Sequence, residues 1–429
     1  MHTATLDILR CPYCGGRLSL VESLFHRRSG DEIHDGILGC HCCIFPVVDG
    51  IPVLHLQPGA TMARDQIQAE RPELARRTMV GIENERDAEA FEAVASSATA
   101  TYRDTVEAFG PNFEGGYFLY RFSDPTFIVA QAVVRAVART VLGGRRRAID
   151  ICGGSGHLTR SLMDLSSPPP VLADLYFAKV WLARRFTAPG CEPVCCDGNA
   201  PMPFARGAFG LAMCTDAFMY IWTKRQFVGE MTRLIDGRPR RPTGDGFGTQ
   251  GEDDTGAVLI GHTHNERAWS PSHGQPLTPE GYADLFETIE PRIFGEAPLF
   301  DDVVRGGPVD LSRHDAPDAL DRDPALTIVA SRHPGVFTQH PVDPLTSAHG
   351  EFRLNPLYAV EPDASGARLR LQFPSDDYEQ EYGACRRYLP EAVTVNRADI
   401  DALPAVTASG PLADLAKRRV ILDLPKRYY

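Results

Sequence analysis

Several familiar signals are missing from this sequence. The opening stretch, MHTATLDILRC, lacks the basic-then-apolar order of a secretory leader, and no apolar run is read as long enough to span a bilayer. An excess of positive charge is missing too. The formal net charge is −12, which argues against a general polyanion binder. The compact basic runs, Arg145-Arg146-Arg147 and Arg238-Pro239-Arg240-Arg241, read as solvated loops. There is no internal repeat. Eleven cysteines, several adjacent as in Cys42-Cys43 and Cys195-Cys196, do not form a disulfide framework in a chain of 429 residues, so a reducing, cytoplasmic setting is expected. At this length and 43% hydrophobic residues, the chain can bury more than one core, and two or three domains are expected.

What is present is organised around Ala148–Leu162. The run holding Ile149, Asp150 and Ile151 reads as a buried strand, Gly153-Gly154-Ser155-Gly156 as a turn, and His157–Met163 as a helix start with Leu158 and Leu162 four apart. Val171–Asp174 is a second strand candidate, followed by Leu175 and a helical pattern over Phe177–Phe186. Asp174 lies 18 residues beyond Gly156, about where a doubly wound fold sets an acid against ribose hydroxyls. Pro193–Cys196 then leads to Asp197, Gly198 and the loop Ala200–Phe204. Phe209–Cys214 leads to Thr215-Asp216-Ala217-Phe218, Phe227–Ile235 reads as a helix, and Ala257–Gly261 leads to His262-Thr263-His264. Strands alternating with helices predict an α/β fold with a mainly parallel sheet and a ligand crevice at the strands' carboxyl ends.

The order Asp150-x-x-Gly153-Gly154-x-Gly156, Asp174, Asp197 with its PMPF loop, then FGLAMCTDAFMYI resembles the class I S-adenosylmethionine-dependent methyltransferases over roughly Gly143–Gly295. A dinucleotide dehydrogenase would want G-x-G-x-x-G, and Thr159 stands where the third glycine belongs. The resemblance implies a Rossmann-like core. It sets Gly154 and Gly156 against the methionine part of S-adenosylmethionine, Asp174 against the ribose and Asp197 against the adenine amine. Asp150, Gly153, Leu175, Gly198 and Thr215 complete the expected cofactor set. One departure is Cys152, where the family usually has glycine.

Cys11-Pro12-Tyr13-Cys14 and a second pair, Cys40 and Cys43, 26 positions after Cys14, suit a closed structural zinc site with sulfur ligands at about 2.3 Å. The bland alternative is buried free cysteines. With FPVVDGIPVL over Phe45–Leu54, this front resembles the small zinc-ribbon protein that partners and activates several RNA and protein methyltransferases, here fused in one chain. In that family more residues separate the last cysteine from the F/Y-P step, so Cys42 is an alternative to Cys43. The expected layout is a zinc ribbon over 1–57, a helical linker and cap over 58–140 with helices at Arg64–Arg77 and Ala88–Ala95, a methyltransferase core over 141–336, and a small β-rich C-terminal extension over 337–429.

Methyl transfer needs the acceptor aligned in line with the methyl and, for a hydroxyl or amine, a proton acceptor. His262 and His264 follow the fifth strand and, two apart, would point the same way. They are candidate catalytic bases, equally suited to a catalytic metal with Asp216 as third ligand, or to fixing backbone. Met219 stands where many relatives carry a histidine. Tyr117, Tyr120 and Arg121 are candidates for the substrate pocket or, equally, core aromatics of the cap. Asp236–Gly256 is expected to be a mobile loop, and Thr278 to cap a helix over Leu277–Phe286. The tail should form strands at Phe352–Val360, Ala367–Phe373 and Val420–Leu424 with a helix near Leu412–Lys417, closing over the site or mediating a homodimer. The expected function is S-adenosylmethionine-dependent O- or N-methylation of a small molecule, with no membrane partner. An RNA base methyltransferase, whose bacterial ribosomal RNA form also sets a cysteine ribbon before the core, is the alternative, and a non-catalytic binding module is the third.

Overall fold

The computed structural model describes the chain apart from residues 83, 111–114, 144, 238–254, 270–273, 343–349 and 364–365. All but the ends of the expected mobile loop, Asp236–Gly256, and the whole Arg238–Arg241 run fall on 238–254, outside the described residues.

The first unit is a small antiparallel sheet of β1 (Ser19–Leu20), β2 (Arg27–Ser29), β3 (Glu32–Gly39), β4 (Ile44–Val48) and β5 (Ile51–Pro52). His26–Asp35 carries the β2–β3 hairpin, turning at Gly30 with a left-handed φ of 57°. Helices α1 (Pro58–Gln68), α2 (Pro72–Val80), α3 (Glu85–Ser96) and α4 (Tyr102–Ala108) follow. The single helix expected over Arg64–Arg77 breaks because Glu70 turns left-handed and Pro72 starts the next helix, where its missing N–H costs nothing. One short turn, α5 (Gly115–Phe118), precedes α6 (Pro125–Leu142). Asp124 caps α6 by accepting the Phe127 N–H at 2.6 Å, and left-handed Gly143 ends it. Long and apolar enough to cross a bilayer, α6 corrects the expectation that no run reaches that length. It packs on the central sheet, with 61% of its span buried.

That sheet has seven strands: β6 (Ala148–Ile151), β7 (Val171–Asp174), β8 (Glu192–Cys195), β9 (Leu211–Thr215), β10 (Ala257–His264), β11 (Pro291–Gly295) and, beyond the short β12 (Val309–Asp310), β13 (Ala325–Ser331). The order is β11-β13-β10-β9-β6-β7-β8, with β8 through β10 parallel and β13 antiparallel to both neighbours. This is the expected Rossmann-like α/β core. Strand side chains alternate between two buried clusters. Ala148, Leu172 and Met213 share a cluster with α6, whereas Ile149, Ala173 and Cys214 share one with Phe227, Val228 and Met231. Each fully buried Leu, Ile or Phe there contributes about 1.5–3 kcal/mol. Flanking helices are α7 (Phe177–Leu182), α8 (Lys224–Ile235), α9 (Pro279–Ala283, capped by Thr278 as expected) and α10 (Glu296–Arg305). The helix expected at His157–Met163 is only a 3-10 turn, Thr159–Leu162. The Thr159 hydroxyl is drawn onto the Asp150 carboxylate at 2.6 Å, and Pro168–Pro170 closes the segment.

The small sheet continues the large one. Val53 bridges Cys195 in parallel, and the Leu54 N–H donates to the Cys195 carbonyl at 2.7 Å, covering the β8 edge. Trp181 Nε1 donates to Asp49 at 2.6 Å, and Arg184 pairs with Glu32.

After β14 (Gln339–His340), which pairs with β12, comes β15 (Gly350–Leu354). A three-stranded antiparallel sheet follows, of β16 (Tyr358–Asp363), β17 (Gly366–Leu371) and β18 (Ala392–Val395), and then β19 (Ile421–Pro425), which returns to β15. This part has its own core, containing Leu369, Cys385, Leu412 and Ile421, against which Tyr117 and Tyr120 pack.

Candidate functional site

Strand order reverses between β6 and β9, so a crevice opens at their carboxyl ends. Three non-glycine residues there hold a left-handed backbone: Cys152 after β6 (φ 60°), Asp216 after β9 (φ 57°) and His262 within β10 (φ 46°). Each such residue costs about 1–3 kcal/mol, and such strain collects at functional sites. Cys152 thus occupies a conformation that suits glycine.

The glycine turn fits tightly. A Cβ at Gly153 would lie 2.6 Å from the Asp150 carboxylate, one at Gly156 would lie 2.8 Å from Ala183, and Gly154 and Gly156 are both left-handed. Asp174 is buried at the end of β7 and accepts the Gly154 and Tyr176 N–H groups, each at 2.9 Å. Burial raises its carboxyl above the usual range, opposed by the Tyr176 N–H and by Lys179. Burial also pushes Asp150 up to about 7, opposed by the Thr159 hydroxyl. Asp197 closes a local turn onto the Asn199 N–H at 2.8 Å, and a Cβ at Gly198 would lie 3.3 Å from Cys152 Sγ, so these two loops meet. The Leu175 carbonyl accepts the Cys195 thiol. The Thr215 hydroxyl is buried at the end of β9 with no hydrogen-bond partner among the described residues. An orphaned hydroxyl at a strand end, a carboxylate with lone pairs to spare and a glycine turn match the donor and acceptor needs of an adenosyl cofactor carrying a ribose diol.

Across the switch point lies a polar cluster. Asp216, His262 and His264 each aim one ligand atom so that all lie within 4.8 Å of one another. The expected shared direction of the two imidazoles is altered by a register shift between Ile260 and Thr263. Their rings stand 85° apart with centroids 5.5 Å apart. His262 Nδ1 donates to Glu296 Oε2 at 2.6 Å and its N–H to Oε1 at 2.8 Å, while Thr327 donates to Oε1 at 2.9 Å. Burial would lower the His262 pKa, but the Glu296 carboxylate outweighs it and lifts it to about 9. His264 is lowered by burial and by the His262 charge. Arg121 reaches Asp216 Oδ2 at 3.1 Å, Asp124 at 3.1 Å and the Tyr117 hydroxyl at 2.5 Å. Of the expected substrate trio, Tyr117 and Arg121 therefore meet the cluster. Tyr120 packs on Tyr378 instead, with ring centroids 5.4 Å apart. Tyr382, from α11 (Asp376–Tyr382), sits 5.4 Å from Tyr117, so the C-terminal part covers this end of the crevice.

Underneath, Tyr428 bridges elements far apart in sequence. Its hydroxyl donates to the Phe118 carbonyl and meets His157 Nε2, both at 2.7 Å, and its ring stacks on Tyr102, whose hydroxyl meets Ser155 at 3.0 Å. No signal in the sequence pointed to Glu296, Thr327, Tyr382 or Tyr428. Each acts through a partner that only the fold brings near.

At the front, the gathered thiols are Cys11, Cys14, Cys40 and Cys42. Sγ separations are 3.6 Å (Cys11–Cys42), 3.7 Å (Cys14–Cys40) and 3.6 Å (Cys40–Cys42). A tetrahedral ion with bonds of about 2.3 Å needs sulfurs about 3.8 Å apart, so the set fits. This is the alternative set, with Cys42 in place of Cys43; the Cys43 Sγ lies 3.3 Å from Cys42 Sγ, and the Cys43 N–H donates to Cys40 Sγ at 3.4 Å.

No family model matches the chain, and no curated protein matches it. Solved structures do match over about half of it. One is an unconfirmed methyltransferase from Bacillus halodurans, with 15% identity over 47% of this chain and 98% of that chain and a TM-score of 0.29. Another is geranyl diphosphate C-methyltransferase from Streptomyces coelicolor, in complex with Mg2+, geranyl-S-thiolodiphosphate and S-adenosyl-L-homocysteine (14%, 46% and 73%, 0.32). A third is the complex of the Haloferax volcanii Trm112 methyltransferase activator with an unconfirmed methyltransferase (15%, 47% and 88%, 0.31). Likeness at this level says nothing of what this chain binds.

Proposed function

We propose that this chain is an S-adenosylmethionine-dependent methyltransferase acting on a small-molecule acceptor. The observation that carries the reading is the pairing across one switch point of a buried strand-end acid on a glycine turn, Asp174, with a strained polar cluster, Asp216–His262–His264. S-adenosylmethionine supplies an electrophilic methyl on a sulfonium. The Gly153–Gly156 turn, Asp150, Asp174, Leu175, Asp197, Gly198 and Thr215 are the residues to hold it. Arg121 and Tyr117 orient the acceptor, His262 and His264 activate it, and the aromatic cover of Tyr117 and Tyr382 excludes water. That enclosure supports a small acceptor over an RNA duplex. We assign a structural zinc to Cys11, Cys14, Cys40 and Cys42, in a ribbon spanning 1–57, ahead of a cap over 58–140, a core over 141–336 and an extension over 337–429.

The test is calorimetric titration of the full chain with S-adenosylhomocysteine beside Asp174→Asn, with zinc quantified on the same sample. Micromolar binding that the substitution weakens at least about tenfold supports the reading. No binding by folded, zinc-loaded protein overturns it.

A further inference from the structure

We propose that Asp216, His262 and His264 form a second metal site, chemically distinct from the cysteine cluster, that takes a divalent first-row transition ion.

Geometry comes first. His262 Nε2 and Asp216 Oδ1 are 4.0 Å apart, too far for a hydrogen bond. Two ligands each about 2.0–2.2 Å from one ion are at most about 4.3 Å apart, so 4.0 Å lies within the span an ion bridges. The third ligand atom, on His264, lies within 4.8 Å of the other two; three ligands spread evenly about one ion stand about 3.6 Å apart, so binding draws the group together by at most about 1.2 Å. Asp216 Oδ2 is already taken by Arg121 and, at 3.5 Å, by the Tyr117 hydroxyl, which leaves Oδ1 as the ligand atom.

Orientation follows. A metal-binding imidazole usually donates its other N–H to a carboxylate, which fixes the ring and raises its basicity. Glu296 does this for His262, and Glu296 is itself held by the His262 N–H and by Thr327. A ligand this firmly held is costly to maintain for packing alone, since His262 also keeps a left-handed backbone.

Charge completes the case. Asp124 and Asp216 share one guanidinium, Arg121, and a third carboxylate, Glu296, holds His262. Once both imidazoles are bound to an ion and neutral, the three carboxylates and Arg121 sum to two negative charges. Buried charge of one sign is unfavourable unless paired, and a divalent ion balances this set. Two imidazoles and one carboxylate suit manganese, iron, cobalt or zinc rather than calcium or magnesium, and leave open positions. Resting on the methyltransferase reading, those positions take an oxygen of the acceptor, which restricts substrates to hydroxyl, phenol or enol compounds. The metal site itself does not depend on that reading.

The experiment titrates the full zinc-containing chain with Co2+, followed by visible absorption, with S-adenosylhomocysteine binding measured on the same sample. Cobalt on imidazole and carboxylate lacks the intense sulfur-to-cobalt charge-transfer band that cobalt on the cysteine cluster would show. The expected result is uptake of about one Co2+ without that band, weakened at least about tenfold in Asp216→Asn and in His264→Gln, and several-fold in Glu296→Gln. No such uptake by the folded wild-type chain at millimolar Co2+ overturns the proposal, as does uptake that Asp216→Asn and His264→Gln both retain. Should one variant fail to fold, the wild-type spectrum and the other variant decide. Cobalt uptake without S-adenosylhomocysteine binding keeps the metal site and removes the methyltransferase reading; the converse does the reverse.

Discussion

His262 and Glu296, 34 residues apart, are joined twice: the imidazole Nδ1–H donates to one carboxylate oxygen at 2.6 Å and the backbone N–H to the other at 2.8 Å. The pair links β10 to the first residue of α10, where the helix N-terminus favours a carboxylate. Glu296→Gln keeps the shape and removes the charge. The expected loss is about 2 kcal/mol of unfolding free energy, in line with hydrogen bonds to charged groups, measured by urea denaturation. An unchanged midpoint would mean that the pair adds nothing to stability.

Asp150 brings a pH dependence. Its folded pKa is raised to about 7, above the unfolded carboxyl near 3.9, so the folded state holds the extra proton. The sign follows: its stabilising contribution is complete below about pH 4 and is lost as pH rises through 7. Between pH 5 and 8 the wild type should lose about 2.5 kcal/mol relative to Asp150→Asn, measured as the difference between the two urea curves at each pH. Parallel behaviour of the two proteins would show that Asp150 titrates normally.

Zinc retention separates two adjacent cysteines. Cys42→Ser is expected to lower bound zinc from about one per chain to near zero, since Cys42 Sγ lies 3.6 Å from both Cys11 and Cys40 Sγ, whereas Cys43→Ser should retain it. Metal analysis of the purified variants decides this. Loss in the Cys43 variant alone would restore the pairing first read from the C-x-x-C spacing.

Tyr428→Phe removes one hydroxyl shared by His157 and the Phe118 carbonyl, leaving both without it inside the fold. A cost of about 1–3 kcal/mol is expected. Because His157 follows the glycine turn directly, S-adenosylhomocysteine affinity should fall as well. Calorimetry alongside thermal unfolding separates the two effects.

Much of the core was legible because its signals are local. Ile149 and Ile151 alternate across a buried strand, glycines at 153, 154 and 156 answer to backbone needs at those positions, and Thr278 caps its own helix. Local reading failed where a neighbour distant in sequence outweighed the pattern. Thr159 prefers Asp150 to a helix, and the register shift of β10 against β13 turns His262 away from simple alternation, whereas the break at Pro72 is a local signal within the expected helix.

By itself, then, the sequence determined the α/β alternation, the glycine turn, the strand-end acids and the two cysteine pairs, because each depends on residues within a few positions of one another. Only the tertiary structure gathers Cys42 with Cys11, Cys14 and Cys40, brings Arg121 and Tyr117 to Asp216 while Tyr120 packs elsewhere, and sets Glu296 on His262. Those are contacts between elements tens to hundreds of residues apart, and their distances are set by how strands stack in one sheet and by which surface the C-terminal part covers.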